Sequence, residues 1–336
     1  MLQLKVEDIK WEAPDTATYF LRNVTGEKVA YKAGQFLTLV FNHHNEELRR
    51  SYSISSSPDE DLLAITIKRV PNGELSRFLL THAKIGDVWQ AVEPAGRFIV
   101  TNFDQEKDIF FFAAGSGVTP ILSQIKYVLN RAGKSKLHLI YSNRNAGNVL
   151  FKTELDRLQQ QYPERLNITY LLSDDARRLN NVMAEQLVKQ QVRFDLQQAQ
   201  FYLCGPFDYM RMVRLTLIYM GVPVDHIRKE NFVLETVAVS STKTGFAPHK
   251  VRIVFGGETH DILAGENQSI LQAALQNKIP LPYSCRAGIC SACTAKCKSG
   301  KVIMTENEVL TDADLADGLV LTCTGYALTD DVVIEF

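Results

Sequence analysis

Pro282-Tyr-Ser-Cys285-Arg-Ala-Gly288-Ile-Cys290-Ser-Ala-Cys293 places three cysteines within nine residues, and a fourth, Cys323, follows after 29 more. Two irons bridged by two sulfides need four thiolates. A tight loop can supply three of them and a distant strand the fourth, and C-x4-C-x2-C…C is the spacing that holds a [2Fe–2S] cluster. Gly288 lets the loop bend, and Ser284, Arg286 and Ser291 can aim donors at the sulfurs and tune the potential. A structural zinc site would show paired C-x2-C units, and only one such pair exists here. A [4Fe–4S] reading would recruit Cys297, but that pattern begins C-x2-C and ends Cys-Pro, whereas Lys298 follows here. Cys297 is therefore read as a non-ligand, and Cys285, Cys290, Cys293 and Cys323 as the metal ligands. Inert core thiols would not be packed so densely.

Working outward, the chain has 336 residues, enough for two or three domains. Hydrophobic residues make up 46% and charged residues 22%, which excludes disorder and low-complexity classes. The 37 Lys/Arg against 38 Asp/Glu leave a net charge of −1, so no overall basic field invites nucleic acid or anionic lipid. No apolar run reaches the ~20 residues of a bilayer span. The start, MLQLKVEDIKWE, reads as neither a signal nor a transit peptide. Five of the six cysteines fall between positions 285 and 323, which suits metal binding in a reducing compartment rather than a disulfide framework. A cytoplasmic protein without membrane or nucleic-acid partners is expected.

The rhythm of the chain changes twice. Residues 1–104 carry β-rich runs (Tyr19–Val24, Gln35–Phe41, Ser51–Ile54, Leu62–Lys68, Asp87–Ala91) at the spacing of a small antiparallel barrel, with a helix expected over Leu75–His82. In residues 105–232, apolar runs at Ile109–Ala114, Lys136–Tyr141, Asn167–Leu172 and Gln200–Cys204 alternate with helical patterns. That alternation predicts a parallel sheet covered on both faces. Residues 233–249 are Ser/Thr/Gly-rich and read as a linker. Residues 250–336 hold short strands (Lys250–Phe255, Val332–Phe336), a helix (Ser269–Asn277) and the cysteine loop. This last segment carries 7 Lys/Arg against 11 Asp/Glu; read as design, an acidic module tethered to a slightly basic body would be weakly attracted to it, and read plainly, the split is a chance one.

Four further segments carry chemistry. Arg50-Ser51-Tyr52-Ser53 lies on a strand, where Arg50 and Tyr52 share a face. Lys68-Arg-Val-Pro-Asn-Gly73-Glu-Leu-Ser76 leads into a helix whose free first-turn amides form an anion site; read alone, Ser76 is equally a helix N-cap. Ala113-Ala-Gly115-Ser-Gly117-Val-Thr119-Pro120 joins a buried strand to a helix, and its glycines let backbone approach a diphosphate. Tyr202-Leu-Cys204-Gly205-Pro206 repeats the strand-to-helix arrangement; read alone, Cys204 is as well a core thiol. His43-His44 sit in a polar loop and read as surface residues.

The last ~87 residues resemble a plant-type ferredoxin domain along their length, through Pro282–Cys293 and Leu321-Thr-Cys-Thr324. The R-x-Y-S, G-x-x-S, A-A-G-x-G-x-T-P and C-G-P strings together resemble the ferredoxin–NADP reductase superfamily. The resemblance implies an antiparallel flavin-binding β-barrel (1–104), a parallel α/β nucleotide-binding domain (105–232) and a β-grasp ferredoxin domain (250–336). It implies that Arg50, Tyr52, Ser53, Lys68, Gly73 and Ser76 bind the flavin, FAD rather than FMN, with Ser53 at the edge where N5 accepts hydride. Gly115, Gly117, Thr119, Cys204, Gly205 and Pro206 would bind NAD(P)H, Thr119 and Cys204 flanking the nicotinamide, so that Ser53, Thr119 and Cys204 are the catalytic set. Ser142-Asn143-Arg144 offers a serine, an amide and a cation where an NAD site usually places an acid, which favours NADPH. Phe232 or Glu230 takes the place near the flavin that a terminal aromatic holds in stand-alone relatives.

The order of domains is similar to the reductase components of multicomponent oxygenases, the reductase subunits of phenylacetyl-CoA epoxidases among them. NAD(P)H gives two electrons at once, a cluster accepts one, and flavin can do both, so it must stand between them. The expected function is electron transfer from NAD(P)H through FAD and a [2Fe–2S] cluster to an oxygenase or similar redox acceptor protein. A general NAD(P)H:acceptor reductase and a non-turnover iron–sulfur redox sensor are the alternatives.

Overall fold

The computed structural model describes residues 1–43, 46–71, 73–232 and 245–336. Two compact units emerge, Met1–Phe232 and Val233–Phe336. The linker expected over 233–249 falls largely on residues 233–244, outside the described ones, as do His44 and Asn72; His249 opens a strand.

The first unit begins with β1 (Leu2–Ala13), β2 (Thr16–Asn23), β3 (Phe36–His43), β4 (Glu46–Ser53), β5 (Leu63–Lys68), α1 (Glu74–His82) and β6 (Val88–Ala95). The strands form one antiparallel sheet in the order β4-β3-β6-β1-β2-β5. Its two edges meet through the Ile54–Ile65 bridge, with Ser55 N donating to the Ala64 carbonyl, which closes it into a barrel. Alternation drives the assembly of β1, where Leu4 and Val6 point into the core while Gln3 and Lys5 face out, and Leu37 and Leu39 of β3, a strand buried from Phe36 to Val40, join them. Two strands differ from the expected set. β1 is a long strand that the set does not contain. β4 starts at Glu46 rather than Ser51, because its register against β3 runs from His43–Glu46 to Phe36–Ser53. The Glu46-Glu47-Leu48-Arg49-Arg50 run hides strand character, yet charge is what an edge strand needs to avoid pairing with another chain.

The chain continues through β7 (Asp108–Ala114), α2 (Val118–Leu129), β8 (Lys136–Asn143), α3 (Lys152–Gln161), β9 (Leu166–Leu172), α4 (Asn181–Gln191), β10 (Gln200–Cys204), α5 (Phe207–Tyr219) and β11 (Ile227–Glu230). The sheet is parallel, ordered β11-β10-β7-β8-β9. Every side chain from Ile109 to Ala113 is buried, as a central parallel strand requires. Odd positions of β7 pack with α2 and α3 on one face, and Phe110 and Phe112 pack with α4 and α5 on the other. Strand order reverses between β7 and β10, and such a switch point opens a crevice at the carboxyl ends of the strands.

Barrel and sheet are locked together by α2. Ser123 Oγ donates to the Ser56 carbonyl and Gln124 Nε2 to the Phe98 carbonyl, both in buried positions. Arg131 forks onto Asp59 at 2.7 and 3.0 Å, and Lys126 reaches Glu60 at 2.7 Å. Gly34, at φ +96°, lets this seam close: a Cβ there would run into the Phe98 carbonyl oxygen and the Gln124 amide.

The second unit holds β12 (His249–Phe255), β13 (Glu258–Ala264), α6 (Ile270–Gln276), β14 (Thr294–Ser299), β15 (Val302–Met304), α7 (Asp312–Ala316), β16 (Leu319–Leu321), β17 (Gly325–Ala327) and β18 (Val332–Glu335). A mixed sheet, β13-β12-β18-β14-β16, packs against α6 around Ile253, Ile270, Leu271 and Ile334, as a β-grasp does. Ser269 and Gln272 form a reciprocal capping box that starts α6. Among the described residues no helix is long and apolar enough to cross a membrane.

The seam yields a test. Gly34→Ala strains a left-handed position and forces the barrel off α2, so chemical denaturation should show a loss of about 2–4 kcal/mol. A loss below about 0.5 kcal/mol would show that the seam tolerates a side chain there.

Candidate functional site

In the barrel, β4 delivers Arg50, Ser51, Tyr52 and Ser53 in alternation. Arg50 is exposed and donates to the Arg49 carbonyl, leaving most of its guanidinium turned to solvent. Tyr52 is half-buried against the barrel core, and burial pushes its phenol well above the ordinary value. Ser53 is buried. Lys68 closes β5, 3.8 Å from Asp15. Gly73 precedes α1, whose amino end receives no side-chain cap. Ser76 is not that cap: its hydroxyl accepts from Val70 N at 3.2 Å and faces the Gly73 carbonyl, which holds the loop in shape. A Cβ at Gly73 would fall 2.9 Å from Ser76 Oγ and from Val70 Cβ. An uncapped helix start behind a glycine cradle fits an anionic phosphate of a flavin.

At the switch point, Gly115 takes φ +55° and has open space above it. Gly117 does the opposite work, since a Cβ there would collide with the Cys204 carbonyl. The two loops after β7 and β10 therefore touch through bare backbone. The amino end of α2 again lacks a side-chain cap, which fits a nucleotide diphosphate. Thr119 is buried, its hydroxyl turned onto the Ser116 carbonyl at 2.8 Å. Ser53 lies three residues before Ser56, and Thr119 four before Ser123, the pair that joins barrel to α2. The seam thus brings these two stretches of the chain to one end of the unit.

Cys204 is wholly buried, paired in register with Glu230 of β11. Burial, and then the Glu230 carboxyl, push its thiol well above the ordinary value. Glu230 is itself buried, which raises its carboxyl to about 8. A neutral acid beside a neutral thiol keeps charge out of this corner. Phe232 is half exposed at 40%.

Gly205 passes so close to Ala114 that a Cβ would sit 2.9 Å from its methyl group. Sequence reasoning missed Tyr209, whose hydroxyl donates to the Ala113 carbonyl at 3.2 Å and faces Ser142. Its only signal was an aromatic in the first turn after Gly205-Pro206. The Ser142 hydroxyl is buried, whereas Arg144 is 80% exposed.

In the second unit the four cysteines converge. Cys285 shares hydrogen bonds with the Cys290 and Cys323 thiols, and Cys293 with Cys323. That sharing pulls the Cys285 and Cys293 thiols down toward the thiolate that a metal ligand needs. Ala287 N points at Cys285 Sγ (3.3 Å) and Cys285 N at Cys290 Sγ (3.4 Å), donors of the kind that stabilise thiolate sulfur. Arg286, Gly288 and Ser291 all have positive φ, and a Cβ at Gly288 would lie 2.6 Å from the Glu306 carbonyl. Cys297 lies outside the group, its thiol donating to the Ser299 carbonyl at 3.2 Å. Four soft donors with amide support fit a [2Fe–2S] cluster.

Comparison with known proteins agrees with this geometry. Residues 3–99 match an oxidoreductase FAD-binding domain, 111–215 an oxidoreductase NAD-binding domain, and 254–328 a 2Fe-2S iron-sulfur cluster binding domain. The chain is 31% identical to a subunit of 1,2-phenylacetyl-CoA epoxidase from Escherichia coli (strain K12), over 99% of this chain and 97% of that protein. It is 32% identical to the ferredoxin reductase component of 3-ketosteroid-9-alpha-monooxygenase from Mycolicibacterium smegmatis, over 100% and 97%. Phthalate dioxygenase reductase superposes with a TM-score of 0.63 at 23% identity, covering 100% of this chain and 98% of that one, a likeness of fold.

Two outcomes follow from the buried carboxyl and the bare-backbone contact. The Glu230 carboxyl is raised when folded, so the unfolded chain releases that proton first as pH rises. Between about pH 4.5 and 8 the group therefore costs stability, by up to about 1.4 kcal/mol per pH unit. Denaturation of Glu230→Gln should lack this decline, and parallel pH profiles for variant and wild type would refute a buried neutral acid. Gly117→Ala should cut NAD(P)H-driven flavin bleaching by about 100-fold or more, while FAD and cluster absorbance persist. Wild-type rates would show that the loops need not touch.

Proposed function

The chain belongs to the family of oxygenase reductase components that join FAD-binding, NAD-binding and 2Fe-2S domains, and from that premise we propose that it serves an oxygenase of the phenylacetyl-CoA epoxidase kind. It transfers electrons from NAD(P)H by way of FAD and [2Fe–2S]. End-to-end likeness to the Escherichia coli epoxidase component supports the choice of partner. The comparable match to the 3-ketosteroid-9-alpha-monooxygenase component supports a second reading, in which the acceptor is a steroid oxygenase.

The division of labour proposed is a flavin barrel over 1–104, a nucleotide domain over 105–232, a linker over 233–249 and a ferredoxin domain over 250–336. Arg50, Tyr52, Ser53, Lys68, Gly73 and Ser76 would hold FAD. Gly115, Gly117, Thr119, Cys204, Gly205 and Pro206 would hold the nicotinamide nucleotide, with Ser142 and Arg144 toward its adenosine end. Cys285, Cys290, Cys293 and Cys323 would hold the cluster. FAD and the cluster, when bound, supply the redox chemistry, accepting an electron pair and releasing electrons singly.

The residues themselves bind, orient and exclude water. The uncapped starts of α1 and α2 attract phosphates. Gly117 against the Cys204 carbonyl fixes the spacing of the two loops. Glu230 keeps its proton below about pH 8, and the buried Cys204 and Thr119 shut solvent out of the corner beside it. The observation that carries the proposal is the four-thiol cage, on the same chain as two glycine-bordered, uncapped helix starts.

Separation of the electron route tests it. In Cys323→Ser, NAD(P)H should still bleach the flavin band and support ferricyanide reduction, while turnover with an oxygenase is lost. Full oxygenase turnover without the cluster would refute the route. Mixing the wild-type chain with the oxygenase components of either system identifies the partner: product formation with phenylacetyl-CoA supports the first reading, and product formation only with the 3-ketosteroid supports the second.

A further inference from the structure

The sheet splits at its switch point. β7 pairs with β10 as far as Ala113–Cys204, but with β8 one residue further, to Ala114–Ser142. Beyond Cys204 the chain turns away through Gly205 and Pro206, and proline has no N–H with which to continue the ladder. Tyr209, the third residue of α5, fills the split. Its hydroxyl donates to the Ala113 carbonyl at 3.2 Å and faces the buried Ser142 hydroxyl, which finds no other partner among the described residues. Burial pushes the phenol well above its ordinary value, so the hydroxyl keeps its proton and remains a donor.

The ring does as much as the hydroxyl. A Cβ at Gly205 would lie 3.2 Å from Tyr209 Cδ1 and 2.9 Å from the Ala114 methyl, so ring, turn backbone and methyl pack without room between them. The first turn of α5 has no side-chain cap, and Phe207 and Asp208 are exposed. Tyr209, in the same turn, reaches the sheet. The loops after β7 and β10 are therefore fastened at two points. One is bare backbone, where Gly117 meets the Cys204 carbonyl; the other is the Tyr209 side chain, across Ala113 and Gly205.

A dinucleotide on such loops is anchored by its diphosphate and adenosine, whereas its nicotinamide has to be aimed. Hydride transfer is steep in that aim, since a misplacement of about 1 Å can cost about 100-fold in rate. We propose that Tyr209 is a positioning residue for hydride transfer: it holds the Cys204-Gly205-Pro206 turn against the end of β7, and so sets where the nicotinamide lies rather than how tightly the nucleotide binds. Tyr209 gives up no proton and takes no electron as hydride passes from nicotinamide to flavin; it acts through the backbone it holds. The proposal rests on reading this crevice as the nicotinamide site.

The test is anaerobic stopped-flow mixing of the full-length holoprotein with NADH and with NADPH, for wild type, Tyr209→Phe and Tyr209→Leu. Tyr209→Phe keeps the ring and loses the hydroxyl, so the limiting rate of flavin bleaching should fall about tenfold. Tyr209→Leu loses both and should fall about 100-fold. The nucleotide concentration that gives half the limiting rate should stay within about threefold. Hydrogen exchange without nucleotide supplies the second readout. In Tyr209→Phe the Gly205 and Phe207 amides should exchange about tenfold faster, with those of β1 and β2 unchanged. Flavin and cluster absorbance should be unchanged. Should Tyr209→Leu fail to fold, the near-isosteric Tyr209→Phe carries the test alone. A Tyr209→Phe limiting rate within about twofold of wild type, a loss confined to the half-saturating concentration, or faster exchange throughout the first unit overturns the proposal while leaving the nucleotide site standing. A wild-type flavin that neither nucleotide bleaches overturns the site and the proposal together.

Discussion

The seating of one helix into the barrel governs the rest of the first unit. α2 begins at the Gly115–Gly117 loop and, one turn later, sends Ser123 and Gln124 into buried carbonyls of the barrel. Buried hydrogen bonds of this kind are costly to break, because each lost partner strands a desolvated group. The same helix thus ends the nucleotide loop and fixes where the flavin barrel sits. Hydride transfer tolerates little misplacement, so rigid attachment at this seam is what the chemistry requires. Asp59, Glu60, Lys126 and Arg131 add charge pairing around the rim, worth little individually in solvent but directional as a set.

Behind the seam, the corner around Cys204 is kept free of charge. A thiol and a carboxyl buried side by side would both be costly if ionised, and burial holds both in their protonated forms. This dryness strengthens every dipole aimed into the corner. It also gives Glu230 a proton to hold through the neutral range. The contrast is the Arg144–Asp174 pair at the outer strand ends, which lies in solvent.

The architecture was legible wherever periodicity and glycine placement carried it. The strand–helix alternation after Ile109, the helix starting behind Gly73 and the four-cysteine spacing all depend on local pattern, and local pattern survives folding. What escaped was non-local or disguised. β4 hid its amino half behind Glu46-Glu47 and Arg49-Arg50, since an edge strand tolerates charge that propensity counts against. Asp174 was invisible as a partner of Arg144, because only the β8–β9 register brings them together. Tyr209 looked like ordinary helix filler until its hydroxyl was seen on the Ala113 carbonyl. The contact of the buried Ser142 hydroxyl with Tyr209 likewise arises only where β8 and α5 pack together.

The ferredoxin unit obeys the same logic on a smaller scale. Positive φ at Arg286, Gly288 and Ser291 coils the loop tightly enough to bring three sulfurs together, and the chain after β16 returns the fourth. Charge separation along the route rests on that cage being filled and on a flavin preceding it. Anaerobic reductive titration of the purified chain, followed by absorbance and electron spin resonance, tests this most directly. The account predicts uptake of about three electron equivalents per chain, two bleaching a flavin band and one producing a reduced-cluster signal. Uptake of two or fewer, with no acid-labile sulfide or no flavin released on denaturation, would contradict it.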